Sequence, residues 1–440
     1  MIEYRNLRIA LLGAGSVGSQ VAALLLEHGD ELAQRVGAGL ELVGVAVRDP
    51  EKHRDSGIPF ELFTTDAESL IVGADIVVEV MGGLSPAREL ITLAMTSGAD
   101  VVTANKALLA THGPELFELA EQLGAQLYYE ASVAAAIPII RPLRESLAGD
   151  RIERIYGIVN GSTNYILDRM DADDLAAEDA QQIALELGYL EADPTLDVEG
   201  YDAAQKAAIL ASLAFHTTVP LEAVHREGIT NVTHEQVRSA REAGFVVKLL
   251  AVCERLVDPT SGEEGVSVRV HPALVPRTHP LGAVHGGNNA VFLEAAAAGP
   301  LMFYGAGAGG IQTASAVLGD VVSAARRHVL GGPGVAESTH ANLPVLPIAH
   351  VVTRYQVTLR VIDEPGVLAH VAGVFSRHDV SVETVQQSPF SGGTEPGSAT
   401  ATLVIVTHTA TEAALTATVA ELTASDAVTE VASVLRVEGI

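Results

Sequence analysis

The sequence predicts an α/β chain in three parts, on three observations. Up to residue 130, short apolar strands alternate with helical patterns. Over 131–304, longer helices give way to strands around Val266 to Val275, and over 351–440 the order is strand, helix, strand, strand, helix, strand. The linker at 331–350 opens with GGPGVAESTHANLPVLP, where glycine and proline stop any helix and no apolar period survives. With 440 residues, 48% of them hydrophobic, each part can bury a core of its own.

Composition narrows the partners. A formal charge of -28 repels phosphate backbones and anionic lipid, so neither nucleic acid nor membrane is expected to bind. No apolar run approaches the roughly 20 residues that cross a bilayer. Cys253 is alone and cannot form an internal disulfide, and MIEYRNLRIALLGAG reads as the start of a strand and not as a signal peptide. A cytoplasmic location is expected.

LRIALL, from Leu7 to Leu12, is the first strand. GAGSVG follows at once, and a helical apolar pattern runs on through Val21, Leu24 and Leu25. Strand, tight turn and helix in this order predict a Rossmann-type dinucleotide-binding domain. Gly13 permits the turn, Gly15 lets a pyrophosphate approach the backbone, and Gly18 lets helix and strand pack closely, while the helix N-terminus offers N–H groups to the phosphates. Further strands follow from Leu40 to Val47 and from Ala74 to Val80. After the second strand stand Arg48 and Asp49. The acid suits the ribose hydroxyls of NAD and the arginine the 2′-phosphate of NADP. With Lys52 and Arg54 close behind, the sequence leans towards NADP, against the competing reading of a solvated basic cluster.

Lys106, in VVTANKALLA, falls in the first turn after another short strand. A cation there is disfavoured by about 0.3–1 kcal/mol, whereas the carboxyl end of a parallel strand points into the ligand crevice, so an active-site role is expected. From Tyr201 to Phe215 (YDAAQKAAILASLAF) the only charges are Asp202 and Lys206, four apart on one helical face. An exposed pair would sit in a broad polar stripe, and this helix is alanine and aliphatic nearly all round. The pair is therefore expected to be partly buried, which persists most readily where a ligand needs it. Glu191 and Asp197 lie upstream in a segment kept irregular by Pro194 and Gly200. Such loop carboxylates could bind a substrate ammonium while the lysine transfers a proton to a carbonyl oxygen; a structural ion network is the bland alternative. The histidines of HPALVPRTHPLGAVH, from His271 to His285, match no zinc spacing and read as core or solvated side chains.

GAGSVG, TANKAL, YYEASVAAAIPII, GSTNYIL and GYLEADPTLDVEGYDAAQK, in this order over Leu7 to about Leu330, closely resemble the homoserine dehydrogenase family. The resemblance implies NAD(P)-dependent interconversion of aspartate 4-semialdehyde and homoserine, in the aspartate-derived route to threonine, methionine and isoleucine. It implies Lys206 as the proton donor, Lys106 as a second active-site lysine, and Glu191 and Asp202 at the substrate's amino end with Asp197 in support. It places NADP or NAD against Gly13, Gly15, Ser16, Val17, Gly18, Arg48, Gly82, Thr103, Lys106, Gly188 and Gly307, with 305–330 returning to the first domain. It makes 131–304 an α+β catalytic and dimerisation domain, and adds a monovalent cation, sodium, at Glu130, Val133, Ala135 and Ile137, held mainly by backbone carbonyls. The residues alone read that last segment as small side chains chosen for close packing.

The C-terminal order of elements, with DEPGVL at its first turn, resembles a ferredoxin-like ACT domain. That resemblance implies an amino-acid effector, threonine, bound near Asp363 and Gly366, with a purely oligomerising module as the alternative. A homodimer or homotetramer is implied. Two rival functions stay open on the sequence: another NAD(P)-dependent oxidoreductase of amino-acid aldehydes or keto acids, and a catalytically silent cofactor-bound sensor.

Overall fold

The computed structural model describes residues 5–190, 193–259, 261–332, 334, 336–389 and 400–439. Glu191 lies outside the described residues. The chain forms two compact units, Met1–Gly161 with Asp202–Val224 and Gly287–Leu343, and Ser162–Tyr201 with His225–Gly286 and Pro344–Ile440. Elements are numbered in chain order.

In the first unit, β1 (Leu7–Leu12), α1 (Ser16–Glu27), α2 (Gly29–Val36), β2 (Leu40–Ala46), β3 (Phe63–Thr64), α3 (Ala67–Ile71), β4 (Ile76–Glu79), α4 (Ala87–Thr96), β5 (Asp100–Thr103), α5 (Lys106–Leu123) and β6 (Leu127–Tyr128) build a six-stranded sheet. Its order is β3-β2-β1-β4-β5-β6 and every pair is parallel. This is the doubly wound order of dinucleotide-binding folds, whose ligand crevice lies outside the carboxyl ends of the strands. The strands are near-continuous Val, Ile and Leu because helices cover both faces. The unit continues with α6 (Ala131–Ala134), β7 (Ile152–Ile158), α10 (Tyr201–Phe215), β11 (Asn288–Ala295), β12 (Gly299–Ala306) and α12 (Gly310–Leu330), the strands pairing antiparallel as β12-β11-β7. Val317, Val321, Ala324 and Ala325 of α12 share one buried cluster with Val21, Ala22 and Leu25 of α1 and with Ile9 and Val78 of the sheet. Through this cluster α12 packs beside α1 on the parallel sheet.

The stretch after α12 is irregular but anchored. Glu337 accepts a hydrogen bond from Tyr129 Oη at 2.8 Å and pairs with Arg144, and the Ala341 N–H donates to the His216 carbonyl at 3.0 Å.

The second unit holds α7 (Gly161–Ala172), α8 (Ala177–Glu186), α9 (Thr195–Val198), β8 (His225–Arg226), α11 (His234–Glu242) and the long antiparallel hairpin of β9 (Phe245–Val257) and β10 (Glu264–Pro276). The C-terminal module follows, with β13 (Val352–Ile362), α13 (Val367–Arg377), β14 (Val382–Pro389), β15 (Thr400–Thr407), β16 (Ala410–Thr411), α14 (Glu412–Thr423) and β17 (Val428–Val437). Its strands run β17-β13-β15-β14, the ferredoxin-like order. Val357, Leu359, Val361, Leu403 and Ile405 pack there with Val371, Val374, Phe375, Leu415 and Leu422 of the two helices. The module is also stitched to the hairpin, because β17 runs parallel to β10 with Ala273 opposite Arg436 and Leu274 opposite Val437. Beside this seam the buried Arg269 donates to Glu254 at 2.6 Å and to Glu438 at 3.0 Å. Among the described residues no helix is long and apolar enough to cross a membrane.

Candidate active site

Three elements of the first unit converge on Asp202. Lys106 is the first residue of α5, whose start is set by Asn105: its side chain accepts from the Leu108 N–H at 3.1 Å and donates to the Gly83 carbonyl at 2.7 Å. Asp202 and Lys206 stand one turn apart in α10, and Val159 and Asn160 follow the end of β7. Lys106 Nζ lies 2.7 Å from Asp202 Oδ1 and Lys206 Nζ 2.7 Å from Oδ2. Asn160 Nδ2 donates to Oδ2 at 2.9 Å, and Lys206 Nζ also donates to the Val159 carbonyl at 2.6 Å. Burial of Asp202 favours the neutral acid, but the Lys206 and Lys106 ammoniums and their hydrogen bonds outweigh it and hold the carboxyl well below its ordinary pKa. One carboxylate between two ammoniums leaves a net single positive charge, suited to an oxygen that becomes negative during reaction. Asp202 and Lys206 are buried, as their apolar helix implied.

The nucleotide-binding turn has the required shape. Gly13 takes φ +102°, and a Cβ on Gly18 would stand 2.1 Å from the Gly13 carbonyl oxygen. Gly15 precedes α1 with nothing within 4 Å of its would-be Cβ, so the backbone is open to a diphosphate. Ser16 opens α1 and its carbonyl lies 2.5 Å from where a Gly310 Cβ would be, while Val17 leans on the core. These residues fit a dinucleotide by backbone approach at a helix N-terminus.

Glu79 was not singled out in the sequence and organises the strand ends. Its carboxylate accepts from the Met81 and Gly82 N–H groups at 2.8 and 3.1 Å and from Thr103 Oγ1 at 2.7 Å. An acid inside the apolar run IVVEV, from Ile76 to Val80, was the available signal. Thr103 is fully buried, so its hydroxyl serves this network. Asp49 spends its side chain on capping a short helical turn at Glu51, and Arg54 pairs with Glu51 and stacks on Phe60. Arg48 is exposed. Gly307 is required by packing, since a Cβ would meet Asn289 Oδ1 at 2.3 Å.

Among the described second-unit candidates, Asp197 lies in α9 and Gly188 follows α8 at φ +76°. GSTNYIL supports this unit: Asn164 Nδ2 donates to the Gly286 carbonyl at 2.8 Å, and Asn164 Oδ1 accepts from the buried Lys248 at 2.9 Å. His271 is fully buried, His279 accepts from the Leu281 N–H, and His285 Nδ1 lies 2.7 Å from Asp168. Gly366 takes φ +98° ahead of α13, and Asp363 accepts from Gln387 at 3.3 Å.

Residues 13–130 match the homoserine dehydrogenase NAD-binding domain, 138–322 the homoserine dehydrogenase family model, and 355–425 the ACT domain. The chain is 53% identical to a homoserine dehydrogenase of Mycobacterium tuberculosis over 99% of both chains. It is 50% identical to one of Corynebacterium glutamicum, over 98% of this chain and 95% of the relative. The crystal structure of a homoserine dehydrogenase from Thiobacillus denitrificans superposes with a TM-score of 0.91 at 37% identity, over 99% of each chain. With a dinucleotide cradle, two lysines on one buried carboxylate and these relatives along its whole length, the chain belongs to the homoserine dehydrogenase family, oxidoreductases that use a nicotinamide cofactor.

Proposed function

We propose that Lys206 and Lys106 carry the interconversion of L-aspartate 4-semialdehyde and L-homoserine, on the observation that one buried carboxylate bridges both ammoniums. The bound cofactor supplies the hydride that the aldehyde carbon receives, or takes it back in the reverse direction. As that carbon is reduced, negative charge grows on its oxygen. Lys206, fixed by Asp202 and the Val159 carbonyl, stabilises the charge and transfers a proton to it. Lys106, with a side chain 42% exposed against 11% for Lys206, is the lysine a substrate meets first. Asp202, with Glu191 and with Asp197 in support, holds the substrate ammonium. A carboxylate offers about four acceptor sites, and Lys106, Lys206 and Asn160 take three of them.

Exposed Arg48, beside an Asp49 committed to capping, supports preference for NADP, so Arg48→Ala should weaken NADPH and spare NADH. Gly82, Thr103, Gly188 and Gly307 line the cofactor in this reading, Thr103 through its backbone. The carbonyls of Glu130, Val133, Ala135 and Ile137 would hold a sodium ion. The Glu130 carboxylate is already taken by the Ile139, Ile140 and Arg141 N–H groups at 2.6, 2.8 and 2.9 Å, and Ala135 adopts φ +52°. Neutral carbonyl oxygens suit a hard cation of low charge. Threonine would act through the C-terminal module near Asp363 and Gly366, in a cytoplasmic homodimer or homotetramer.

The test is reduction of aspartate 4-semialdehyde by the purified chain with NADPH and with NADH, with and without threonine, beside Lys206→Ala. Turnover in the parent and a loss of about 10²–10⁴-fold in the variant is expected. Cofactor binding without turnover would return the chain to the sensor reading.

A further inference from the structure

The face of the C-terminal sheet opposite its helices meets α11 across a cavity of about 320 Å³. The floor is two adjacent cross-strand rows. Ser433, Thr358, Val404 and Gln386 oppose one another across β17, β13, β15 and β14, and Arg360, Thr402 and Ser388 form the next row. Their alternates, such as Val357, Leu359 and Leu403, point into the module's core. The roof is one stripe of α11, where Glu235, Arg238, Ser239 and Glu242 recur at i, i+3, i+4 and i+7. A helix laid on a sheet ordinarily presents an apolar stripe at that spacing, and the buried apolar residues of α11, Val237 and Ala240, lie off this stripe. Apart from Val404, Ala432 and Ala243, both walls are therefore polar where packing alone would make them apolar.

Two guanidiniums and two carboxylates line the walls, and Arg360 also donates to Glu430, outside the lining, at 3.1 Å. Arg360 ties floor to roof, donating to Glu235 at 2.7 and 2.9 Å. Arg238 and Glu242 face the same cavity one turn apart, and among the described residues neither has an ion-pair partner. Two guanidiniums, two carboxylates and rows of hydroxyl and amide groups complement a neutral but dipolar ligand with a small polar side chain. The volume is at the lower end of small-molecule sites, about 300–1,000 Å³.

We propose that this cavity binds a small zwitterionic α-amino acid, its carboxylate on Arg238 and its ammonium on Glu242. The inference rests on the reading of the C-terminal module as amino-acid responsive and deepens it. The site differs from the turn at Asp363 and Gly366, neither of which lines the cavity. With its charged groups on α11 and its side chain on the hydroxyl and amide rows of the floor, the ligand would fasten α11 to the C-terminal sheet.

Calorimetric titration of L-threonine, L-serine and L-methionine into the full-length chain tests this, with succinate and putrescine as ligands of a single sign. At least one amino acid should show a binding event that neither control shows. Ser239→Trp, which fills the cavity, should abolish it, and Arg238→Gln and Glu242→Gln should each weaken it about ten- to hundredfold. A parent-like titration of Ser239→Trp overturns the proposal, as does binding of succinate or putrescine in place of the amino acids, or no amino-acid binding at all. Should the tryptophan variant not fold, unchanged affinity in both glutamine variants overturns it. Binding is read here without turnover, so failure of this site and failure of the dehydrogenase reading are separate results.

Discussion

Replacing Asp202 by asparagine keeps the side-chain shape and removes the charge that Lys106 and Lys206 share. Lys206 is then a buried ammonium without its carboxylate, a defect of about 3–5 kcal/mol in comparable buried pairs. Asp202→Asn is expected to unfold at lower denaturant and to lose turnover together; parent-like unfolding and activity would show that the bridge is dispensable. Lys248 gives a second test at this scale. Burial, the largest influence, pushes its pKa down to about 8 from 10.5, with Asp168 and Asp171 opposing the fall. Between those values the unfolded chain binds more protons than the folded one, so stability rises with pH across that window, by up to about 3 kcal/mol. Denaturant unfolding of the parent between about pH 8 and pH 10.5 should show that rise, and Lys248→Met should flatten it. A slope unchanged by the substitution would assign it to other groups. Asp202 and Lys206 were legible as a pair because they are the only charges in an apolar helix. Lys248 carried the same signal as the lone charge in FVVKLLAV, but strand register decides its partners, and register is not local.

At the scale of elements, the glycine turn separates two roles that the motif merges. A side chain on Gly18 would collide with the Gly13 carbonyl, whereas one on Gly15 meets nothing in the protein itself. Gly18→Ala should therefore lower the melting temperature, while Gly15→Ala should melt like the parent yet bind NADPH and NADH more weakly, read by calorimetry. Equal cofactor affinity in Gly15→Ala and the parent would place the diphosphate elsewhere. Most of the first domain could be read from the sequence, because strands buried on both faces are continuous apolar runs and the turn motif is contiguous. The register of β17 beside β10 could not. It is a short parallel contact between distant segments, and neither strand's own pattern names its neighbour.

At the scale of the whole molecule, that contact bears on whether the C-terminal module can be removed. Truncation after Leu343 takes away β17, one parallel neighbour of β10, and one of the two carboxylates on the buried Arg269. The truncated chain is expected to unfold at lower denaturant than the full chain and to be prone to aggregation through the uncovered strand. Equal stability, measured by urea unfolding and light scattering, would make the module an independent appendage. By itself the sequence determined what depends on neighbours along the chain: the nucleotide-binding turn, the helix that carries Asp202 and Lys206, the lysine opening α5, and the order of elements in the C-terminal module. Only the tertiary structure decided that Lys106 meets Asp202, that Glu79 ties two strand ends together, and that β17 joins β10. Those contacts join residues far apart in sequence, and their geometry follows from long-range packing and register, which no local period encodes.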